Sequence, residues 1–401
     1  MQDWGACHSA SIMQGLDQEM PGQSYMSPEA ITARLGKDIT QAAVDESVMR
    51  MLTPMFSVGV MDAHDADPST WSFHKLSHNV TTEDSVKSAR KLAALCTVLL
   101  KNEKNLLPLS SDKKIAVIGF GSDNAVVHGG GSGSVVPSSI VSPLEGINAV
   151  SNSEASYSDG TDLGEAVGMA KAADVAVVFV ATLSHEGGDR TSLSLDDGCE
   201  PDTRPGRQGV GKPCVGNNHN QNAMISAIVK ANPNTVVVMS VPGAVLTPWA
   251  DEVPAILTNF MPGQAAGDAV ADILYGKVNP SARLPLTFPN KENEQNFSPA
   301  QYPGLPDPEA PLYSNYTEGL FVGYRYYDEH EIKPAFAFGH GNTHRHDNDL
   351  LHHPCRPLPA CPCPDTHLPS CCCNTQHGRI NVCVDASSLN QRKASQAGPC
   401  H

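Results

Sequence analysis

The chain has 401 residues, and its 43 acidic against 27 basic side chains give a formal charge of −16. That length accommodates two domains with separate cores, and the acidic balance argues against nucleic acid and anionic membranes as partners. No run of about 18 apolar residues occurs, which excludes a helical membrane span, and 33 Gly with 31 Pro fit a loop-rich enzyme rather than a coiled coil or solenoid.

In chain order, Met1–Gly22 reads MQDWGACHSASIMQGLDQEMPG. Asp3 stands beside Trp4, a helical spacer follows, and a Gly-Leu-Asp-x-Glu-Met-Pro-Gly segment contributes Asp17 and Glu19. Ser27–Leu35 and Thr40–Met51 have helical spacing, with Ser27 as N-cap ahead of Pro28 at the first helical position. Phe56–Asn79 breaks into short polar turns. Thr81–Leu100 reads as an amphipathic helix opened by Thr82, Glu83 and Asp84, and Asn105–Ser110 crosses over to the next domain.

Ile115–Phe120 reads as the first strand of that domain. Helix Gly164–Ala173, strand Val175–Val180, helix Asn222–Ala231, strands Thr235–Val241 and Ala255–Phe260, and helix Ala265–Tyr275 follow. The alternation implies a mostly parallel sheet covered on both faces, an α/β sandwich.

Val175–Val180 has the β-branched composition of a strand buried on both faces, and it runs into the polar loop SHEGGDR. Glu186 heads that loop, Gly187 and Gly188 allow a sharp turn behind it, and Asp189 and Arg190 form an opposite-charge couple. Catalytic side chains are mounted this way in open α/β sheets, at the carboxyl ends of parallel strands. An ordinary solvated surface loop has the same local pattern. Gly119-Phe120-Gly121 lacks the third glycine of a dinucleotide fingerprint, and Gly129–Gly133 lacks the Lys-Ser/Thr ending of a phosphate cradle.

Several ordered stretches resemble family 3 glycoside hydrolases, the β-glucosidase family. They are the Asp3–Trp4 segment with Gly15–Gly22, KNEKNLLPL at Lys101–Leu109, GGGSGSV at Gly129–Val135 and the Glu186 loop. GQAAGDAVADILYGKVNPSARLPLTFP at Gly263–Pro289 and EGLFVGYRYYD at Glu318–Asp328 complete the set. The resemblance implies the end of a (β/α)8 barrel over 1–55, a linker and connecting helix over 56–110, and a sandwich domain over 111–341. A TIM barrel takes about 250 residues, so the barrel portion is expected to be a fragment. The GGGSG run then becomes either a loop near the interdomain cleft or a plain turn.

Retaining glycosidases need two carboxyl groups about 5–5.5 Å apart, one to attack the anomeric carbon and one to protonate the leaving oxygen. The resemblance makes Asp3 the nucleophile, Glu186 the acid/base and Trp4 an aromatic face for the sugar, or else a core residue. The two carboxyls would meet only when the domains dock. Desolvation would keep Glu186 protonated and the Arg190 charge would oppose it. Asp17 and Glu19 compete for a carboxylate role, with positioning of the strand end as the alternative, and His8 and His185 adjoin the candidates. The implied reaction is hydrolysis of a β-glucoside or cello-oligosaccharide without metal or organic cofactor. A β-xylosidase and a non-catalytic carbohydrate-binding remnant stay open, and the short barrel implies an inactive chain.

Cysteines divide the chain: Cys7, Cys96, Cys199 and Cys214 lie in the family-like part and eight crowd into Asn342–His401. Cys199 and Cys214 bracket a Gly/Pro-rich insertion and suit a disulfide in a secreted protein, two free thiols being the alternative. Three sequons, at Asn79, Asn296 and Asn315, point to a secretory route. Residues 342–401 leave the family pattern and are rich in His, Cys and Pro. They lack paired C-x2-C spacing, so an unstructured tail is expected there rather than a zinc site.

Overall fold

A computed structural model describes residues 1–2, 4–20, 24–62, 79–184, 186, 190, 192–196, 220–306 and 313–344. The sheet has six strands: β1 (Val98–Asn102), β2 (Ile115–Ile118), β3 (Ser156–Ser158), β4 (Val175–Ala181), β5 (Thr235–Ser240) and β6 (Ala255–Thr258). Their order is β1-β6-β5-β4-β2-β3, with β1 antiparallel to β6 and the other pairs parallel. All seven residues of β4 are buried, because both faces of the sheet are covered. Ala176, Val178 and Val180 point into one core while Val177 and Phe179 point into the other, the period-two alternation of a strand. Each valine so buried contributes about 1.5–3 kcal/mol.

Eight α-helices accompany these strands among the described residues: α1 (Pro28–Arg34), α2 (Gln41–Ser57), α3 (Glu83–Cys96), α4 (Pro143–Asn148), α5 (Leu163–Ala172), α6 (Gln221–Ala231), α7 (Ala266–Leu274) and α8 (Tyr324–Glu329). Ala166 and Ala170 of α5 and Met224, Ile225 and Ile228 of α6 fill the core with Ala176 and Val178. Ala93 and Ala94 of α3, Ile147 of α4 and Ala269, Val270 and Ile273 of α7 fill the opposite one. The result is a three-layer α/β sandwich, as the alternation of strands and helices implies.

Three details differ from the sequence reading. The helix expected to reach Leu100 stops at Cys96, and Val98-Leu99-Leu100 becomes the edge strand β1, all three residues buried. The sheet therefore begins upstream of Ile115; a short apolar run reads equally as helix end or strand, and burial against β6 decides it. Helix α4 opens with a capping box between Ser142 and Glu145 that the expected elements omit. Strand β3 has three residues, below the length at which alternation is visible.

Near the N-terminus, Ser27 caps α1 by accepting from the Ala30 N–H, and Thr40 caps α2 by accepting from Ala43. Helix α2 continues beyond Met51, through Pro54 to Ser57. Ala10, Ile12 and Ile39 form a small core beside these helices. No strand occurs among the described residues of 1–62. The segment 342–401 contributes only Asn342, Thr343 and His344 to the described residues, and Cys199 and Cys214 lie outside them.

Helices α3 and α7 are joined by Arg90, which donates to both carboxylate oxygens of Asp272 at 2.6 and 2.7 Å and pairs with Asp268 at 3.0 Å. Burial alone would raise the Asp272 pKa, but Arg90 and Lys277 together hold it below the ordinary value. A carboxyl depressed in the folded state stabilises fully above its unfolded pKa of about 3.9 and loses that contribution as pH falls through its folded value. Arg90→Leu is therefore expected to cost about 3 kcal/mol at pH 7, the low end for a broken buried pair since Lys277 remains. In urea melts this penalty should shrink in acid, where Asp272 takes up a proton; an equal penalty at neutral and acid pH would show that packing, not charge, is what Arg90 supplies.

Candidate active site

Strand β4 delivers the chain to the candidate acid. Its last residue is held by the buried Gln221 side chain, which accepts from the Ala181 N–H and donates to the Ala181 carbonyl, both at 2.9 Å. The same amide donates to the Leu195 carbonyl at 2.7 Å, so one side chain ties together the outgoing and returning arms of the loop. Asp196 accepts from the Gln221 N–H and from Asn222, and Asn222 accepts from the indole of the fully buried Trp249. Both ends of the loop are thus fixed to the start of α6.

At the head of the loop, Glu186 Oε2 accepts from the Ser132 N–H at 2.9 Å and, in a short hydrogen bond, from the Ser132 hydroxyl. The glycine run is shaped for this contact. Gly131 has φ +78°, and a Cβ there would come within 2.4 Å of the Glu186 Cβ. Gly130 donates to the Ser184 carbonyl at 3.2 Å, and a Cβ on Gly129 would meet that oxygen at 2.9 Å. The GGGSG segment is therefore a clasp on the Glu186 loop rather than a free turn. Ser132 lowers the Glu186 pKa through its hydroxyl and then its N–H, outweighing burial. The sequence expectation weighed desolvation against Arg190 and missed Ser132. Arg190 donates to the Ala244 carbonyl at 2.9 Å.

Gly119 has φ +96° and would place a Cβ 2.4 Å from the Phe179 carbonyl. Close backbone approach to β4 accounts for this glycine without a nucleotide.

Asp3, His185 and Gly187 to Asp189 lie outside the described residues. Trp4 is 70% exposed, which excludes the core-packing alternative for its ring. Asp17 takes three contacts at 2.8–3.1 Å from the Arg50 guanidinium, which chiefly lowers its pKa. Buried Glu19 accepts from the Met26 and Tyr25 N–H groups at 2.7 and 3.1 Å, and the Met26 bond leads in lowering its pKa. Both carboxylates are engaged in fixing the N-terminal segment. His8 is exposed, and buried Cys7 donates to the Ser9 carbonyl. The sequence pattern singled out Glu186 but passed over Gln221 and Ser132; the glycines flanking Ser132 were the available signal for the latter.

Comparison with known proteins decides the family. Residues 97–324 match the glycosyl hydrolase family 3 C-terminal domain, more than half of the chain. The chain belongs to glycosyl hydrolase family 3. Thermostable beta-glucosidase B of Acetivibrio thermocellus is 33% identical over 360 residues, covering 85% of this chain and 42% of that protein. Probable beta-glucosidase G of Aspergillus terreus is 32% identical over 401 residues, covering 85% and 45%. The family fold is also seen in the crystal structure of DesR, a beta-glucosidase from Streptomyces venezuelae in complex with D-glucose. It matches with a TM-score of 0.71 at 26% identity, covering 85% of this chain and 56% of that one. The chain thus spans about half the length of the curated relatives it matches.

Proposed function

We propose that this chain forms part of a retaining β-glucosidase in which Glu186 is the acid/base, Asp3 the nucleophile and Trp4 a stacking face for the sugar. The observation that carries the reading is the clasped carboxylate at the carboxyl end of β4, on a family 3 sandwich whose relatives are named β-glucosidases. In the first step Asp3 attacks the anomeric carbon while Glu186 gives its proton to the departing oxygen; in the second, Glu186 as carboxylate takes a proton from water, which releases glucose and regenerates Asp3. Ser132 donates twice to Oε2, so the acid form carries its proton on Oε1. The three sequon asparagines, Asn79, Asn296 and Asn315, are exposed, as glycosylation on a secretory route requires.

The described residues of 1–62 supply no barrel strand to hold a glucose ring, so residues 1–401 alone are proposed to be inactive. The test is hydrolysis of 4-nitrophenyl β-glucoside by the chain alone and by the chain fused behind the barrel of a family relative. Only the fusion should turn over, releasing β-glucose first. Comparable turnover by the chain alone would refute the inactivity, and α-glucose as first product from a folded fusion would refute retention.

Ser132→Ala in the active fusion removes the strongest influence lowering the Glu186 pKa. The fall of kcat/KM on the alkaline side marks loss of the Glu186 proton, so this limb should move to higher pH while the acidic limb stays. An unchanged profile would mean that Ser132 does not tune the acid.

A further inference from the structure

The arm that returns from the acid loop is met by a second loop 100 residues further along the chain. Glu292 Oε1 accepts from the Ser192 hydroxyl at 2.7 Å and from the Leu193 N–H at 2.6 Å. Hydrogen bonds to a carboxylate are shorter and stronger than neutral ones. The Leu193 carbonyl in turn accepts from the Leu246 N–H at 2.8 Å. Leu193 is thus held through both its backbone groups, each by a segment distant in sequence.

The loop that carries Glu292 is fastened independently of the acid loop. Phe288 is fully buried and exchanges two backbone hydrogen bonds with Phe336, at 2.8 and 3.3 Å. Asn290 donates to the Lys333 carbonyl, and Glu294 accepts from the Asn290 N–H and side chain and from the Tyr327 hydroxyl. Asn293, at φ +44°, bonds both backbone groups of Phe297, and Asn296 has φ +56°. Asparagine tolerates this left-handed region better than other residues with a side chain. None of these bonds uses the Glu292 carboxylate, which reaches across to the returning arm instead. An exposed glutamate loses rotamer freedom when it is fixed, and here two charge-assisted bonds offset that loss.

We propose that Glu292 is a positioning residue for Glu186, a brace on the returning arm that keeps the carboxyl seated on Ser132. The inference rests on the reading of Glu186 as acid/base. The outgoing arm is held at Ala181 by Gln221 and at Ser184 by Gly130, and the returning arm is held at Leu195 by Gln221. Between Glu186 and Leu195 the chain passes Ser192 and Leu193, where Glu292 grips it. Slack at this point passes to the head of the loop, and a misplacement of about 1 Å in a catalytic group can cost about 10²-fold in rate.

The first test is amide hydrogen exchange in the 401-residue chain and its Glu292→Ala variant. Leu193 loses its acceptor and exchanges faster in any case. The informative amides are Leu246, which donates to the Leu193 carbonyl, and Ser132, which donates to Glu186. Both should exchange about tenfold faster, while Val178 in the middle of β4 keeps its rate. Acceleration confined to Leu193 would make Glu292 a local surface contact and overturn the proposal. Glu292→Gln, which keeps an oxygen acceptor, should restore the parent rates. The second test is kcat/KM in the active fusion. Glu292→Ala should lower it by about 10- to 100-fold on cellobiose, yet leave 2,4-dinitrophenyl β-glucoside within about twofold, because that glycosylation step needs no acid. Ser192→Ala, which removes one of the two donors, should give a smaller loss of the same pattern, and it takes the place of Glu292→Ala if that variant melts earlier than the parent. Equal losses on both substrates would overturn the positioning role. A parent fusion inactive on both would overturn the hydrolase reading, and the exchange rates would still decide whether Glu292 braces the loop.

Discussion

Replacing Glu186 by alanine in an active form of this enzyme is expected to slow hydrolysis of cellobiose by about 10²–10⁴-fold, the usual worth of general acid help. Hydrolysis of 2,4-dinitrophenyl β-glucoside should keep a near-normal rate of glycosylation, because that phenolate departs without a proton. The difference follows from where the carboxylate is held. Gly131 and Ser132 fix the side chain from one side, and Gln221 fixes both arms of its loop from below. Deglycosylation, which needs Glu186 as base, should become limiting on the activated substrate, and azide, a nucleophile that needs no base, should restore turnover as β-glucosyl azide. Equal losses on both substrates with no azide product would remove Glu186 from the acid/base role.

Much of the sandwich was legible because its signals are local. Val175–Val180 declares a doubly buried strand by composition, Gly164–Ala173 and Asn222–Ala231 show helical spacing, and the Glu186 loop is marked by the strand that ends in it. What was not legible depends on contacts distant in sequence. Val98–Leu100 becomes a strand only because β6, more than 150 residues later, offers an edge. Ser132 reaches Glu186 across 54 residues, and Gln221 reaches Ala181 across 40. A lone serine in a glycine run and a glutamine at a helix start carry no chemistry until the fold brings them to the loop. The direction of the Glu186 pKa shift was hidden for the same reason. Burial and Arg190 were visible as neighbours in sequence, whereas the dominant donor was not.

Asp3→Ala should abolish turnover on cellobiose and aryl glucosides alike, a deeper loss than at Glu186, because no covalent intermediate can form without the attacking carboxylate. The case for Asp3 is strengthened by what the other N-terminal acids do. Asp17 is bound by the Arg50 guanidinium and Glu19 by two backbone N–H groups. An acid engaged in this way is a poor nucleophile, since its lone pairs are committed and its charge already neutralised or solvated by the protein. Asp17→Asn should accordingly lower the melting temperature while leaving the rate per folded molecule within a few-fold. The experiment that discriminates is inactivation of the active fusion with a 2-deoxy-2-fluoro-β-glucoside bearing an activated leaving group. The electron-poor sugar forms the glycosyl-enzyme and hydrolyses slowly, so peptide mass analysis reads the labelled residue directly. The label is expected at Asp3, on the tryptic peptide that ends at Arg34, and Asp17→Asn and Glu19→Gln should still accept it. With Asp3→Ala no label should form, and azide with the dinitrophenyl glucoside should give the α-glucosyl azide, because azide would then attack from the face that Asp3 occupied. A label that persists in Asp3→Ala and moves to Asp17 or Glu19 would show that the segment is arranged differently from this account, with the Arg50 contact released when substrate binds.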